Sequence, residues 1–333
     1  LRICPLYEVS HSPWGGVNSF FRNMIQALAQ GSGARLETDP SRADVILSAG
    51  NYLGPGRPLL PRHARNLAAG RRPGHPAGWF LPAGRNSRLV FRVDGLRKYY
   101  AGRESMADNA LVRNLAHAGA MVFQSRFSRR CFEAGDYPLP GPRTVVRNGA
   151  DLSVFTPADI PSPFGGTLTL VSSSWSTNFR KGFELIARMA REPGVEVHHA
   201  GRWPETLSPG NVRLHGALRE FELAELLRRA HFFLFPSENE SCSNAVMEAL
   251  ACGAPVLYHP SGGTLEQCAG EPFGLPLPPD VLEGHGHAAF LDLARQCQPR
   301  LRADVAGSRD LFGFEHCLAG YLAFFEEVLD TRT

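Results

Sequence analysis

Two glutamates, Glu240 and Glu248, stand eight positions apart in the stretch Pro236-Ser237-Glu238-Asn239-Glu240-Ser241-Cys242-Ser243-Asn244-Ala245-Val246-Met247-Glu248-Ala249-Leu250-Ala251-Cys252-Gly253-Ala254-Pro255-Val256. A carboxylate accepts two hydrogen bonds at once, which suits the vicinal hydroxyls of a ribose or a hexose. The spacing alone recurs by chance in chains of this length, and Glu238 and Glu240 taken singly read as surface residues. The surrounding residues make the pair informative. The apolar run 231–235 reads as a buried strand that stops at Pro236. A polar loop follows, then an apolar-periodic helix with Ser243 at its cap position. Gly253 ends that helix and Pro255 opens the next strand. Ligands of open α/β sheets sit outside the carboxyl ends of the strands, so residues 238–243 lie where a ligand is expected. The helix behind them aims free N–H groups and a positive dipole end at that spot, which favours phosphate. Glu240 in the loop and Glu248 about one turn inside the helix then line one cleft.

The elements that must position these residues follow from periodicity. Val45-Ile46-Leu47, Leu89-Val90-Phe91, Met121-Val122-Phe123 and Val145-Val146 read as strands of a first half. Residues 168–171, 195–198, 232–235 and 256–258 read as strands of a second. Helices are expected at 17–28, 183–189, 221–229 and 244–252. In the first of these Val17, Phe20, Phe21, Met24 and Leu28 make one apolar face. Strand–helix alternation through both halves implies parallel sheets covered by helices. The length of 333 residues suits two domains. The boundary falls near Asn148-Gly149-Ala150-Asp151, ahead of the Pro-rich residues 157–163. An aromatic-rich amphipathic helix is expected at 312–329, and residues 53–61 and 71–84 read as long loops.

Composition narrows the function classes. Hydrophobic residues make up 43% and charged residues 20%, a globular profile with no 18-residue apolar run. No secretory pattern opens the sequence, so a cytoplasmic location is expected. Seven cysteines without a C-x-x-C pair read as reduced thiols. Gly284-His285-Gly286-His287 has no further ligand set beside it, so no metal site is expected. Charge is split unevenly. Residues 1–157 carry 21 Lys+Arg against 10 Asp+Glu, a net of +11; residues 158–333 carry 14 against 22, a net of −8. This asymmetry reads either as a first domain that meets something anionic or as a solvated basic surface.

The block from Pro236 to Val256 resembles the donor-site signature of the retaining glycosyltransferases of family 4. Other segments match in order: Trp14-Gly15-Gly16-Val17 resembles the glycine pair opening that family's first long helix. Phe91-Arg92-Val93-Asp94-Gly95 lies at its histidine–aspartate strand end. Asn148-Gly149-Ala150-Asp151, with Phe155 and Pro157, resembles its hinge, and Arg180-Lys181-Gly182 its donor-phosphate lysine turn. The resemblance implies the GT-B fold, two Rossmann-like domains with a donor/acceptor cleft between them. It implies an acceptor domain at 1–157, a nucleotide-sugar donor domain at 158–310, and a helix at 311–333 crossing back to the first domain. It implies roles as well. Glu248 binds the ribose hydroxyls and Glu240 those of the transferred sugar. Lys181 with Ser243 and Asn244 neutralises the diphosphate, and Gly15 and Gly16 let backbone approach it. Asp94 and Arg92 serve the reacting centre. No metal or other cofactor is needed; the substrate is a nucleoside diphosphate sugar, with UDP, GDP and dTDP all open. The departures are specific. Ser241-Cys242-Ser243 replaces the usual glycines, and Trp175-Ser176 stands where an arginine is usual. Arg180 or Arg202 supplies that charge instead. Arg92, near the missing histidine, either contacts an anion or pairs with Asp94.

The expected activity is transfer of a hexosyl-type sugar, with retention, in glycan or glycoconjugate biosynthesis. Two rivals share the fold: an epimerase or hydrolase of nucleotide sugars, and a non-catalytic donor-binding partner subunit. A nicotinamide dehydrogenase lacks its G-x-G-x-x-G turn here. The acceptor is expected to be anionic or membrane-associated, a lipid-linked phosphate, an acidic glycan or the inner face of a membrane. Arg57, Arg62, Arg65, Arg71, Arg72, Arg85, Arg88, Arg97 and Lys98 would face it, with Trp79 and Phe80 beside them. No nucleic acid partner is expected.

Overall fold

The computed structural model describes residues 1–10, 15–55, 57–68, 87–100, 102, 106–158, 166–269 and 272–331. The chain forms two compact units. Unit 1 holds Leu1–Arg147 together with Cys317–Thr333, and unit 2 holds Asn148–His316. The expected segments 71–84 and residue Trp14 lie outside the described residues.

Unit 1 runs β1 (Arg2–Leu6), α1 (Gly15–Ala29), β2 (Arg35–Leu36), β3 (Val45–Ser48), β4 (Tyr52–Gly54), β5 (Arg57–Pro58), α2 (Pro61–Ala68), β6 (Arg88–Val93), α3 (Arg97–Tyr100), α4 (Met106–Leu115), β7 (Ala120–Phe123), α5 (Arg126–Glu133) and β8 (Arg143–Val145). Six of its strands form one sheet in the order β2-β1-β3-β6-β7-β8, every pair parallel. β3, apolar except for Ser48, and the all-apolar β7 are buried throughout, as strands covered on both faces must be. The described residues of 53–61 are not a long loop: β4 and β5 pair antiparallel and α2 starts at Pro61. The proline that broke the apolar pattern is the first residue of a helix, where its missing N–H costs nothing.

Unit 2 runs β9 (Leu168–Ser174), a 3-10 turn (Phe179–Lys181), α6 (Phe183–Met189), β10 (Val195–Gly201), β11 (Arg213–Gly216), α7 (Glu220–Arg228), β12 (Phe232–Phe235), α8 (Asn244–Ala251), β13 (Val256–Tyr258), α9 (Gly262–Cys268), β14 (Gly274–Pro276), α10 (Pro279–Glu283) and α11 (His287–Gly307). Its sheet has the order β11-β10-β9-β12-β13-β14, again parallel throughout. The last helix, α12 (Phe314–Asp330), starts in unit 2, and from Cys317 onward its residues belong to unit 1. There Tyr321 packs 5.2 Å from Phe20 of α1.

In both sheets the strand order reverses once. The reversal lies between β1 and β3 in unit 1 and between β9 and β12 in unit 2. A reversal point opens a crevice at the carboxyl ends, because the loops of the two flanking strands diverge. In unit 2 those two loops carry Lys181 and Glu240.

β10 carries a buried histidine two residues before its end. The His199 ring meets the Ser172 hydroxyl at 2.8 Å and the Arg202 carbonyl at 3.0 Å. Phe183 and Trp203 pack edge-on against it. Burial pushes the imidazole pKa down to about 4. The ring therefore stays neutral, which lets Nε2–H donate to the Arg202 carbonyl while Nδ1 accepts from Ser172. The folded pKa is below the unfolded value of about 6.5, so the unfolded chain binds the extra proton between those values. The stability contributed by neutral His199 is full above about pH 6.5 and is lost as pH falls toward about 4, up to about 3 kcal/mol. Denaturant titrations across that range are expected to show a shallower pH slope for His199→Gln. An unchanged slope would contradict the assignment.

Candidate functional site

The turn carrying Lys181 is built locally. Asn178 caps it, its side-chain oxygen accepting from the Arg180 N–H at 2.9 Å. Gly182 closes it at φ +72°, a left-handed conformation that glycine adopts without strain. A Cβ on Gly182 would stand 2.7 Å from the Pro236 ring, so no other residue lets this turn lie against the end of β12. The Glu238 N–H then donates to the Arg180 carbonyl at 2.9 Å, joining the two loops.

This junction places Lys181 in an ion pair with Glu240; both side chains are about four-fifths buried, at 20% and 17% exposure. The Ser237 hydroxyl donates to the same carboxylate oxygen, Oε1, at 3.0 Å. Both bonds fall on the one oxygen, Oε1. The Glu240 backbone is also fixed, because its carbonyl accepts from the Gly263 N–H at 2.6 Å. A Cβ on neighbouring Gly262 would lie 2.6 Å from that carbonyl. Asn239, at φ +54°, turns the loop, and its N–H donates to the Ser261 hydroxyl at 2.9 Å.

Ser243 occupies the cap position of α8, but its side chain makes no capping bond. Gln267 of α9 grips its backbone instead. The Ser243 N–H donates to Gln267 Oε1, and Gln267 Nε2 donates to the Ser243 carbonyl, each at 3.0 Å. Nothing in the sequence pattern marked Gln267, which lies outside the motif and acts from the next helix. Asn148 is a second residue whose part was not legible. Its amide donates to the Cys242 carbonyl at 3.0 Å and to the Asn244 side chain at 2.8 Å, bracing the loop from unit 2's first residue. Cys242 is buried. Glu248 stands one turn into α8, half-buried beside the fully buried Val246 and Ala249.

Two further cations lie on the same side of the sheet. Arg180 reaches Glu238 at 4.0 Å. Arg202 follows β10, is exposed, and stacks its guanidinium 4.8 Å over the Trp175 ring at the end of β9. Adjacent parallel strands thus bring Arg202 beside the position where a tryptophan replaces the expected arginine.

In unit 1, Arg92 is buried at 1% exposure and pairs with Asp94 at 2.5 Å. Its guanidinium also stacks 4.4 Å over Phe20. Burial alone would lower its pKa, but Asp94 together with Tyr321 and Cys317 outweighs that and the net shift is upward. Arg92 serves its own strand end. Asp94 also accepts from the Gln124 side chain and keeps partial exposure, 23%. Gly15 opens α1 at φ +47°, with nothing within 4 Å of where a Cβ would point. Much of the basic set of unit 1 is engaged locally. Arg57 pairs with Glu8, Arg97 donates to the Tyr52 hydroxyl at 3.2 Å, and Lys98 donates to that of Tyr137 at 3.0 Å. Arg62 reaches the His63 ring, while Arg65 and Arg88 lie on α2 and β6. Arg71, Arg72, Arg85, Trp79 and Phe80 lie outside the described residues.

Two Rossmann-like units, each with an all-parallel six-stranded sheet, define the GT-B fold. Residues 176–283 match the family model described as glycosyl transferases group 1, a stretch holding Lys181, Arg202, Glu240 and Glu248. Over 192 residues, 57% of this chain, the sequence is 33% identical to the D-inositol 3-phosphate glycosyltransferase of Jonesia denitrificans. The match spans 40% of that protein's length. Among solved structures, sucrose-phosphate synthase from Thermosynechococcus elongatus is similar at 18% identity and TM-score 0.68, with 99% of both chains covered. Anabaena HepE, solved with UDP-glucose, is similar at 13% identity and TM-score 0.64, covering 99% of this chain and 98% of that one. Among the described residues no helix is long and apolar enough to cross a membrane.

Proposed function

We infer that this chain is a retaining glycosyltransferase whose donor, a nucleoside diphosphate sugar, is held by unit 2. The observation that carries this reading is the Lys181–Glu240 pair at the strand-order reversal of the sheet. An ammonium and a carboxylate held side by side offer one partner to a diphosphate and one to sugar hydroxyls. Departure of the diphosphate builds negative charge, and donors already aimed at it lower the barrier without reorganising. Lys181, Arg202, the Ser243 hydroxyl, which makes no capping bond, and the opening turn of α8 at Asn244 supply those donors, with Arg180 behind them. Glu240 orients the sugar and Glu248 accepts from the ribose hydroxyls. The glycosyltransferase activity of the Jonesia relative and the UDP-glucose bound by HepE support a sugar nucleotide as donor.

Unit 1 is assigned the acceptor. Asp94 is its polar centre, and Arg92 is a positioning residue that holds the Asp94 carboxylate in place. Gly15 and Gly16 leave backbone accessible at the start of α1. The net charge of +11 over residues 1–157 supports an anionic acceptor, including one displayed on a membrane surface.

The reading is tested by following nucleoside diphosphate release from UDP-, GDP- and dTDP-linked sugars, with and without an excess of chelator. One donor is expected to turn over at an undiminished rate in chelator, because cationic side chains and helix amides take the place of a metal. Activity that appears only on adding manganese or magnesium would contradict this handling of the diphosphate.

A further inference from the structure

Unit 1 carries a second concentration of charge, away from Asp94. We propose that the groove between α5 and the edge strand β8 is a binding site for a phosphate-bearing ligand. Arg126, Arg129 and Arg130 occupy positions i, i+3 and i+4 of α5 and so share one face. The opposite face buries Ser128, Cys131 and Phe132. Arg143 opens β8, the last strand of the sheet. These four arginines line a cavity of about 460 Å³. Glu133, the acidic residue of that lining, is committed to Arg129 at 2.8 Å.

The arrangement concentrates positive charge on one helix face. The first turn of α5 contains no acid, and Arg126 sets a cation at the positive end of the helix dipole. Arg126 and Arg130 are like charges one turn apart, which repel. A bound anion among the guanidinium groups offsets that repulsion. Arg143 donates to the Leu139 carbonyl at 2.9 Å, which uses one of the donors of its fork. Planar guanidinium forks match phosphate oxygens two at a time, and several of them around one groove suit the multiple oxygens and charge of a phosphate. The volume falls in the range of small-molecule sites and exceeds a bare phosphate, so a sugar or glycerol phosphate fits.

The site is distinct from the strand ends considered above. Arg143 lies at the amino end of β8, and the groove follows the outer edge of the sheet, whereas Asp94 follows the carboxyl end of β6. The inference therefore does not rest on the donor assignment.

Glycerol phosphate titrated by calorimetry is the soluble probe, and co-sedimentation with phosphatidylcholine vesicles with and without phosphatidylglycerol is the membrane probe. The full chain is compared with Arg130→Glu/Arg143→Glu and with Arg35→Glu/Arg42→Glu, which changes net charge equally at the opposite, β2 side. The groove pair is expected to weaken binding by roughly tenfold or more, the scale for lost charged hydrogen bonds, while the control pair leaves it within about twofold. Loss confined to glycerol phosphate identifies a soluble ligand, and loss confined to phosphatidylglycerol vesicles identifies a lipid headgroup. Arg130→Gln/Arg143→Gln serves if charge reversal prevents folding. Absence of binding to either probe by the unaltered chain, or equal loss in the control pair, overturns the proposal.

Discussion

Replacing Lys181 with alanine is expected to lower turnover by roughly 10²–10³-fold, the usual loss for one group that stabilises developing charge. The same change is expected to weaken nucleoside diphosphate binding, because the diphosphate is present in the ground state and in the leaving group alike. The structure adds a second reason. Lys181 is the ion-pair partner of Glu240, and both side chains are largely buried. Removing the ammonium leaves a carboxylate facing the incoming diphosphate, so repulsion is added to lost attraction. Glu240→Gln is expected to lower turnover on the same scale while sparing nucleotide binding, since its ligand is the sugar. The double substitution is then expected to bind nucleotide better than Lys181→Ala alone, because the repelling charge is gone. Calorimetry with a nucleoside diphosphate and steady-state rates on the three variants check this. Small and equal effects from the single changes, or a double variant that binds no better than Lys181→Ala, would contradict the pairing of roles.

The second large effect falls on Glu248. Its alanine variant is expected to bind nucleoside diphosphate more weakly by about 1.5–3 kcal/mol, the range for hydrogen bonds to a charged group. That is roughly ten- to 150-fold in Kd. Glu248 sits one turn inside α8 with buried neighbours on either side, so its backbone position is fixed by core packing rather than by the ligand. Truncation therefore removes the acceptor without moving the helix. An unchanged affinity in a folded Glu248→Ala protein would remove Glu248 from the ribose contact.

Much of the candidate site's local structure was legible because its parts are contiguous. The strand, the proline stop, the loop and the closing Gly253 follow one another within about twenty residues, and each signal is local chemistry. The sheet-forming runs of unit 2 were legible for the same reason, since 168–171, 195–198, 232–235 and 256–258 lie in β9, β10, β12 and β13. The cross-links were not. Gln267 gripping Ser243, Asn148 bracing Cys242 and Asn244, and Gly262 under the Glu240 carbonyl join elements 24, 96 and 22 residues apart in the chain. Periodicity carries no information about such pairings. Ser243 shows the limit of a local rule, because a serine at the cap position makes no cap where a neighbouring side chain satisfies its backbone instead. The edge strands β2, β11 and β14 were missed because they are short and lack a continuous apolar run. Arg92 had two readings in the sequence. Burial against Phe20 and α12 settles its place beside Asp94, and that packing depends on a helix more than two hundred residues away.

The most direct measurement of the central claim is a thermal-shift screen of the intact chain against uridine, guanosine, thymidine and adenosine diphosphates. A ligand that binds only the folded state raises the midpoint by mass action, about 2.7 kcal/mol of stabilisation at a hundredfold excess over Kd. At least one diphosphate is expected to raise the midpoint of the unaltered chain and to leave that of Lys181→Ala/Glu248→Ala nearly unmoved. No shift with any of the four, or equal shifts in both proteins, would contradict a nucleotide site built on Lys181, Glu240 and Glu248.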